Sequence, residues 1–127
     1  MKSFIKDYDI KVSADKVWDA LTKPELIEKW SETKAVMDDK EGTEFKLWGG
    51  DIFGKNIEVK KDQLLKQEWY GDKWDAPSIV TMELTQKDGV THVKLTHENI
   101  PDESDDDFSG GWDDYYFGPL KDLVEGK

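Results

Sequence analysis

Apolar and charged positions alternate along residues 3–12, with Phe4, Tyr8, Ile10 and Val12 on one side. A period of two is that of a half-buried β-strand. At Ser13, where an N-cap belongs, the spacing lengthens, and Val17, Trp18 and Leu21 follow as one helical stripe. Thr22 and Glu25 have the spacing of a capping box, with Pro24 tolerated in the first turn. They predict a second short helix whose stripe is Leu26, Ile27 and Trp30.

Beyond residue 33 the period returns to two. Phe45 and Leu47 share one face of a strand over 43–48, and Gly49-Gly50 turns the chain. Strands are expected over 51–60 and 63–70, the latter with Leu65 and Trp69 on one face. The clearest alternation is 78–87, where Val80, Met82 and Leu84 face one way and Thr81, Glu83 and Thr85 the other. Asp88-Gly89 is a strong hairpin signal. The returning strand over 90–99 puts Val93, Leu95 and His97 on one face, and Pro101 ends it.

The tail is helical again. Phe108, Trp112, Tyr115, Tyr116, Leu120, Leu123 and Val124 recur at three and four residues, predicting a helix over about 105–124. Gly118-Pro119 interrupts it, and the proline should kink or end it locally. An apolar sheet face and an apolar helix stripe each need a partner, and packing one on the other satisfies both. The expected fold is α+β: an antiparallel sheet of about six strands curled around a long C-terminal helix, with two short helices after the first strand. No repeat or linker divides residues 1–127, which read as one domain.

Composition narrows the partners. Charged residues make up 37%, but 6 Trp, 5 Phe and 4 Tyr are more aromatic bulk than a disordered chain carries. Net charge is -11, and all 18 basic residues are lysine. Without arginine, and with that balance, neither nucleic acid nor an anionic membrane is an expected partner. The absence of cysteine removes disulfides, thiolate metal sites and a thiol nucleophile. The first twelve residues lack the apolar core of a signal peptide, and no apolar run approaches the ~20 residues that span a bilayer. The cytoplasm is the expected location.

Several segments, taken in order, resemble a known family: Val17-Trp18-Asp-Ala-Leu21, Pro24-Glu-Leu-Ile-Glu-Lys-Trp30, Trp48-Gly-Gly-Asp-Ile-Phe-Gly54, Glu68-Trp69, Ser78 to Leu84, Leu95-Thr-His97-Glu-Asn-Ile-Pro101 and Gly111-Trp112 to Leu120. Together they look like the conserved domain of activators of the heat-shock protein ninety ATPase, within the START-related (SRPBCC) superfamily that also holds the birch pollen allergen. The resemblance implies a helix-grip fold with a cavity between sheet and terminal helix. In the eukaryotic co-chaperones this is the C-terminal of two domains, and the N-terminal one carries much of the ATPase stimulation. Superfamily relatives bind lipids, hormones or polyketides.

Three functions follow as expectations. The first is a soluble binding protein that holds a small hydrophobic or aromatic ligand in the cavity or serves stress-related chaperone work. The second is a co-chaperone docking on heat-shock protein ninety. The third is a cyclase-type enzyme using His97. The cavity candidates are Trp30, Trp69, Met82, His97, Trp112 and Tyr116, which periodicity places on inward faces. Aromatic stripes at such spacings also make ordinary core. His97 is the one inward titratable group; His92 falls on the opposite face, so the two form no ligand pair. The run from Asp102 to Asp114 imitates the start of a calcium loop at Asp105-x-Asp107-x-Ser109-Gly110. Its twelfth position is Tyr116, where a bidentate Glu is required. The acidic run therefore reads as a complement to the positive end of a helix dipole. No metal or cofactor is expected.

Overall fold

A computed structural model describes residues 2–70, 77–100 and 111–126. β1 (Lys2–Ile10) leads into α1 (Ala14–Thr22) and α2 (Pro24–Ser31). β2 (Glu44–Leu47), β3 (Ile52–Lys60), β4 (Leu64–Tyr70), β5 (Ser78–Lys87) and β6 (Val90–Ile100) follow. The described part of the C-terminal helix includes a π-helical turn (Trp112–Phe117) and continues as α3 (Gly118–Val124). The strands form one antiparallel sheet of six in the order β1-β6-β5-β4-β3-β2. The expected end of β6 at Pro101, the start of the terminal helix at 105–110 and the acidic run before Gly111 lie outside the described residues.

Alternation decides the sheet's inner face. Val80, Met82 and Leu84 of β5 meet Val93, Leu95 and His97 of β6 in register, all buried. Phe45 and Leu47 of β2 and Leu65 and Trp69 of β4 continue the same face. Val17, Trp18 and Leu21 of α1, Ile27 and Trp30 of α2, and Tyr116, Phe117 and Leu120 of the C-terminal helix close over it. The β5–β6 hairpin turns at Asp88 and Gly89, both at positive φ (54° and 78°), which is the geometry an Asp-Gly pair supplies. Gly54 permits the close approach of β3 to β4: a Cβ there would strike the Glu68 carbonyl.

Two expected helix signals act differently. Ser13 is the N-cap of α1, but its hydroxyl bonds the Asp15 carboxylate instead of a backbone amide. The N-cap of α2 is Lys23, not Thr22. Lys23 is extended (φ -94°, ψ 118°), as the residue before a proline must be. Thr22 therefore stays in α1, and its hydroxyl donates back to the Trp18 carbonyl at 2.8 Å.

Pro119 does not break the terminal helix. The Gly118 amide reaches five residues back to the Asp113 carbonyl, making the wide turn. Pro119 has no amide, so the bonding can shift from five-residue to four-residue spacing there without orphaning a donor. Gly118 is needed as well, because a Cβ would run into the same Asp113 carbonyl.

Candidate functional site

Trp69 is the centre of the inner face. Its ring lies 4.8 Å from Trp112, 5.8 Å from His97, 6.2 Å from Tyr116 and 6.3 Å from both Phe45 and Trp48. Tyr116 lies 4.6 Å from Trp112 and 4.7 Å from Trp30, which brings α2 into the cluster. Of the sequence candidates, Trp30, Trp69, His97, Trp112 and Tyr116 are thus brought together. Met82 is buried on the same face, paired with Leu65 and Leu95 one row further along than the Val80–His97 pair, and makes no ring contact in the cluster.

Two polar chains meet at Trp69. In the first, its indole N–H donates to Gln67 Oε1 at 2.8 Å, and Gln67 Nε2 donates to Asn56 Oδ1 at 2.8 Å. Asn56 Nδ2 then donates to the Asp38 carbonyl at 2.9 Å and to Thr43 Oγ1 at 3.1 Å. In the second, Trp112 Nε1 donates to His97 Nδ1 at 3.1 Å, and His97 Nε2 lies 2.9 Å from Ser78 Oγ. The Ser78 hydroxyl donates to the Trp69 carbonyl at 3.3 Å. Gln67, Asn56 and Ser78 are all buried, and all three escape a sequence reading that assigns polar residues outward. The available signal was Gln67's place between Leu65 and Trp69 on one period-two row.

His97 is held neutral. Burial pushes its pKa down to about 4. The indole donor from Trp112 occupies Nδ1, so the ring proton sits on Nε2 and points at Ser78. That is the wrong tautomer for drawing a proton from the serine, so the pair is not arranged as nucleophile and base. Burial also raises the Tyr116 pKa, and its hydroxyl has no hydrogen-bond partner among the described residues. Trp30 differs, donating to the Ala20 carbonyl at 2.9 Å.

The terminal helix is tied to β1 from outside the cluster. Asp113 accepts from Lys6 Nζ and from the Tyr8 hydroxyl, each at 2.7 Å. These two donors lower the Asp113 pKa, while burial and that carboxylate raise the Tyr8 pKa. Asp113 thus binds specific partners on the sheet from the first turn of the π-helical segment. No cluster of three acidic or histidine side chains suited to a metal occurs among the described residues. No described helix is long and apolar enough to cross a membrane.

A curved antiparallel sheet, short helices after its first strand and a terminal helix laid across the concave face define a helix-grip protein. Residues 11–125 match the family model described as "Activator of Hsp90 ATPase homolog 1-like protein", and the chain belongs to that family. It is 24% identical over 115 residues to activator of 90 kDa heat shock protein ATPase homolog 2 of Mus musculus, covering 89% of this chain and 35% of that protein. The chain therefore spans about a third of the length of the curated relatives it matches. A solved structure of an HSP90 activator from Plasmodium falciparum is similar with TM-score 0.90 and 26% identity, over 99% of this chain and 97% of that one. The Aha1 dimer from Colwellia psychrerythraea shares the fold at TM-score 0.78 and 20% identity, over 99% and 96% of the two chains.

Proposed function

We propose that the chain is a docking domain for heat-shock protein ninety (Hsp90), acting through its surface in the cytoplasm. The observation that supports this is the close packing of rings on the inner face among the described residues. Trp30, Trp69, Trp112 and Tyr116 pack there with ring centroids 4.6–4.8 Å apart along the series. Rings held this closely by one another leave the outer surface as the part of the domain best placed to meet a protein partner. The family and the similarity to a Plasmodium falciparum HSP90 activator support the choice of partner. Because the chain spans about a third of the curated activators, it is expected to bind weakly and to change ATP turnover little. Calorimetric titration of the host's full-length Hsp90, with steady-state ATPase measured in parallel, tests this. Saturable binding with little change in turnover is the expected result; absence of saturable binding overturns it.

One observation favours a second function, a small apolar ligand in the sheet–helix space. The Tyr116 ring lies against four tryptophans, and its buried hydroxyl has no hydrogen-bond partner among the described residues. Such a donor is costly unless it meets an acceptor. An aromatic or aliphatic compound carrying a carbonyl would supply one. Binding would shift tryptophan emission and raise the melting temperature by mass action. A broad library that changes neither excludes it.

A further inference from the structure

Phe53 and Tyr70 are cross-strand partners on the face of β3 and β4 turned away from the helices. Their rings stack with centroids 5.5 Å apart and planes 9° from parallel. With Val36, Lys46, Lys55 and Glu68 they line an open groove of about 520 Å³ at the β2 end of the sheet. Singly scattered surface apolar residues need no explanation. Here two of the more exposed ones, Phe53 at 42% and Val36 at 54%, line one concavity against a half-buried tyrosine.

Charge gives the groove a direction. Lys55 stands opposite Glu44 on β2 and Glu68 on β4, two carboxylates beside it in register, although no ion pair joins it to either among the described residues. Lys46 has Phe53 opposite it on β3 and is bridged to Val36 on its other side. It forms no ion pair among the described residues. In a chain of net charge -11, an exposed cation embedded in an apolar row attracts an acidic group that arrives together with an apolar one.

We propose that this groove is the face that docks on Hsp90, and that it takes an extended chaperone segment with an apolar side chain beside a carboxylate. The apolar side chain covers the Phe53–Tyr70 stack, and the carboxylate reaches Lys46. The assignment rests on the chaperone-docking function above.

The test titrates the host's full-length Hsp90 with the unaltered protein, Phe53→Thr, Lys46→Glu and the control Ile5→Thr. Ile5 is exposed on β1, at the opposite end of the sheet. Phe53→Thr and Lys46→Glu should each weaken binding about tenfold or more, and Ile5→Thr by less than about twofold. Thermal melts check that each variant folds, and Lys46→Glu alters no buried contact. If the unaltered protein binds and the two groove variants bind equally well, the docking face lies elsewhere and the docking function stands. If the unaltered protein does not bind, the docking function falls and this face with it. A concentration-dependent dimer in sedimentation that Phe53→Thr abolishes would assign the groove to a second copy and overturn the proposal.

Discussion

Trp69 and Tyr70 are neighbours in β4, and His92 and His97 sit five residues apart in β6, yet each pair is split between the two faces of one sheet. On the inner face Trp69 and His97 have their polar atoms matched to specific partners. On the outer face Tyr70 stacks on an exposed Phe53, and His92 bridges two carboxylates in water, Asp9 at Nδ1 and Asp7 at Nε2, both at 2.9 Å. The same residue types therefore do different physical work. Inside, an aromatic or imidazole ring holds the fold; outside, it costs the fold little to lose and is free to meet something else.

The largest expected effect is at Trp112, which fills the centre of the cluster and donates to His97. Trp112→Ala should destabilise the protein by about 3–5 kcal/mol, read by urea unfolding. A loss no larger than that of an exposed-site variant would show that the inner face is not the tighter one.

The two histidines should respond to pH with opposite sign. His97 titrates near 4 when folded, below its ordinary 6.5, because burial disfavours its charge. Folding then binds fewer protons than the unfolded chain, so the contribution is full above 6.5 and is lost as pH falls from there towards 4. The loss should reach about 3 kcal/mol at the acid end. His97→Gln, which keeps hydrogen bonding and removes titration, should flatten the unfolding free energy over that window relative to the unaltered protein. Equal pH profiles would place His97 outside the buried class.

Gln67 is the next step down. Replacing it with Met preserves bulk but leaves the Trp69 indole N–H and the Asn56 carbonyl without their partner. The cost should be about 2 kcal/mol, at the low end of what two orphaned groups lose. An unchanged urea midpoint would mean that the inner polar chain is dispensable.

His92 should give the smallest signal. Hydrogen bonds from the ring to Asp9 and then Asp7 raise its pKa, so its contribution is full below 6.5 and fades as pH rises through the folded value. It is an exposed pair, and His92→Gln should shift the alkaline side of the profile only slightly. A large shift there would erase the distinction between the faces.

Where alternation is regular, its inward positions were legible in the sequence. Val80, Met82, Leu84, Val93, Leu95 and His97 are read from a period of two, and all are buried. The grouping of Trp30, Trp69, Trp112 and Tyr116 was likewise open to inference once the helix was laid on the sheet. What periodicity does not carry is pairing between polar groups. Ser78, Asn56 and Gln67 look solvent-facing by type and become buried only because their partners exist in three dimensions. β3 hides its inner face for a further reason. A bulge between Asn56 and Glu58 shifts the register, and the buried positions Gly54 and Asn56 carry no apolar side chain to mark them. The wide turn was invisible because Gly118-Pro119 reads as an ending, whereas here the pair lets one helical bonding pattern hand over to another.

That turn makes the C-terminal helix elastic in length. A π-turn is an α-turn carrying one surplus residue. Here the surplus is taken up on the solvent side, where Tyr115 stands 68% exposed, while Trp112 before it and Phe117 after it both stay buried. Loss of a single residue between Asp113 and Tyr115 would tighten the turn to four-residue spacing and still leave Trp112 and Phe117 on one face. The stretch between the indole that holds His97 and the leucine at position 120 can thus shed a residue without rephasing the packed side. A one-residue deletion that would rotate an ordinary helix out of its socket is absorbed at this point.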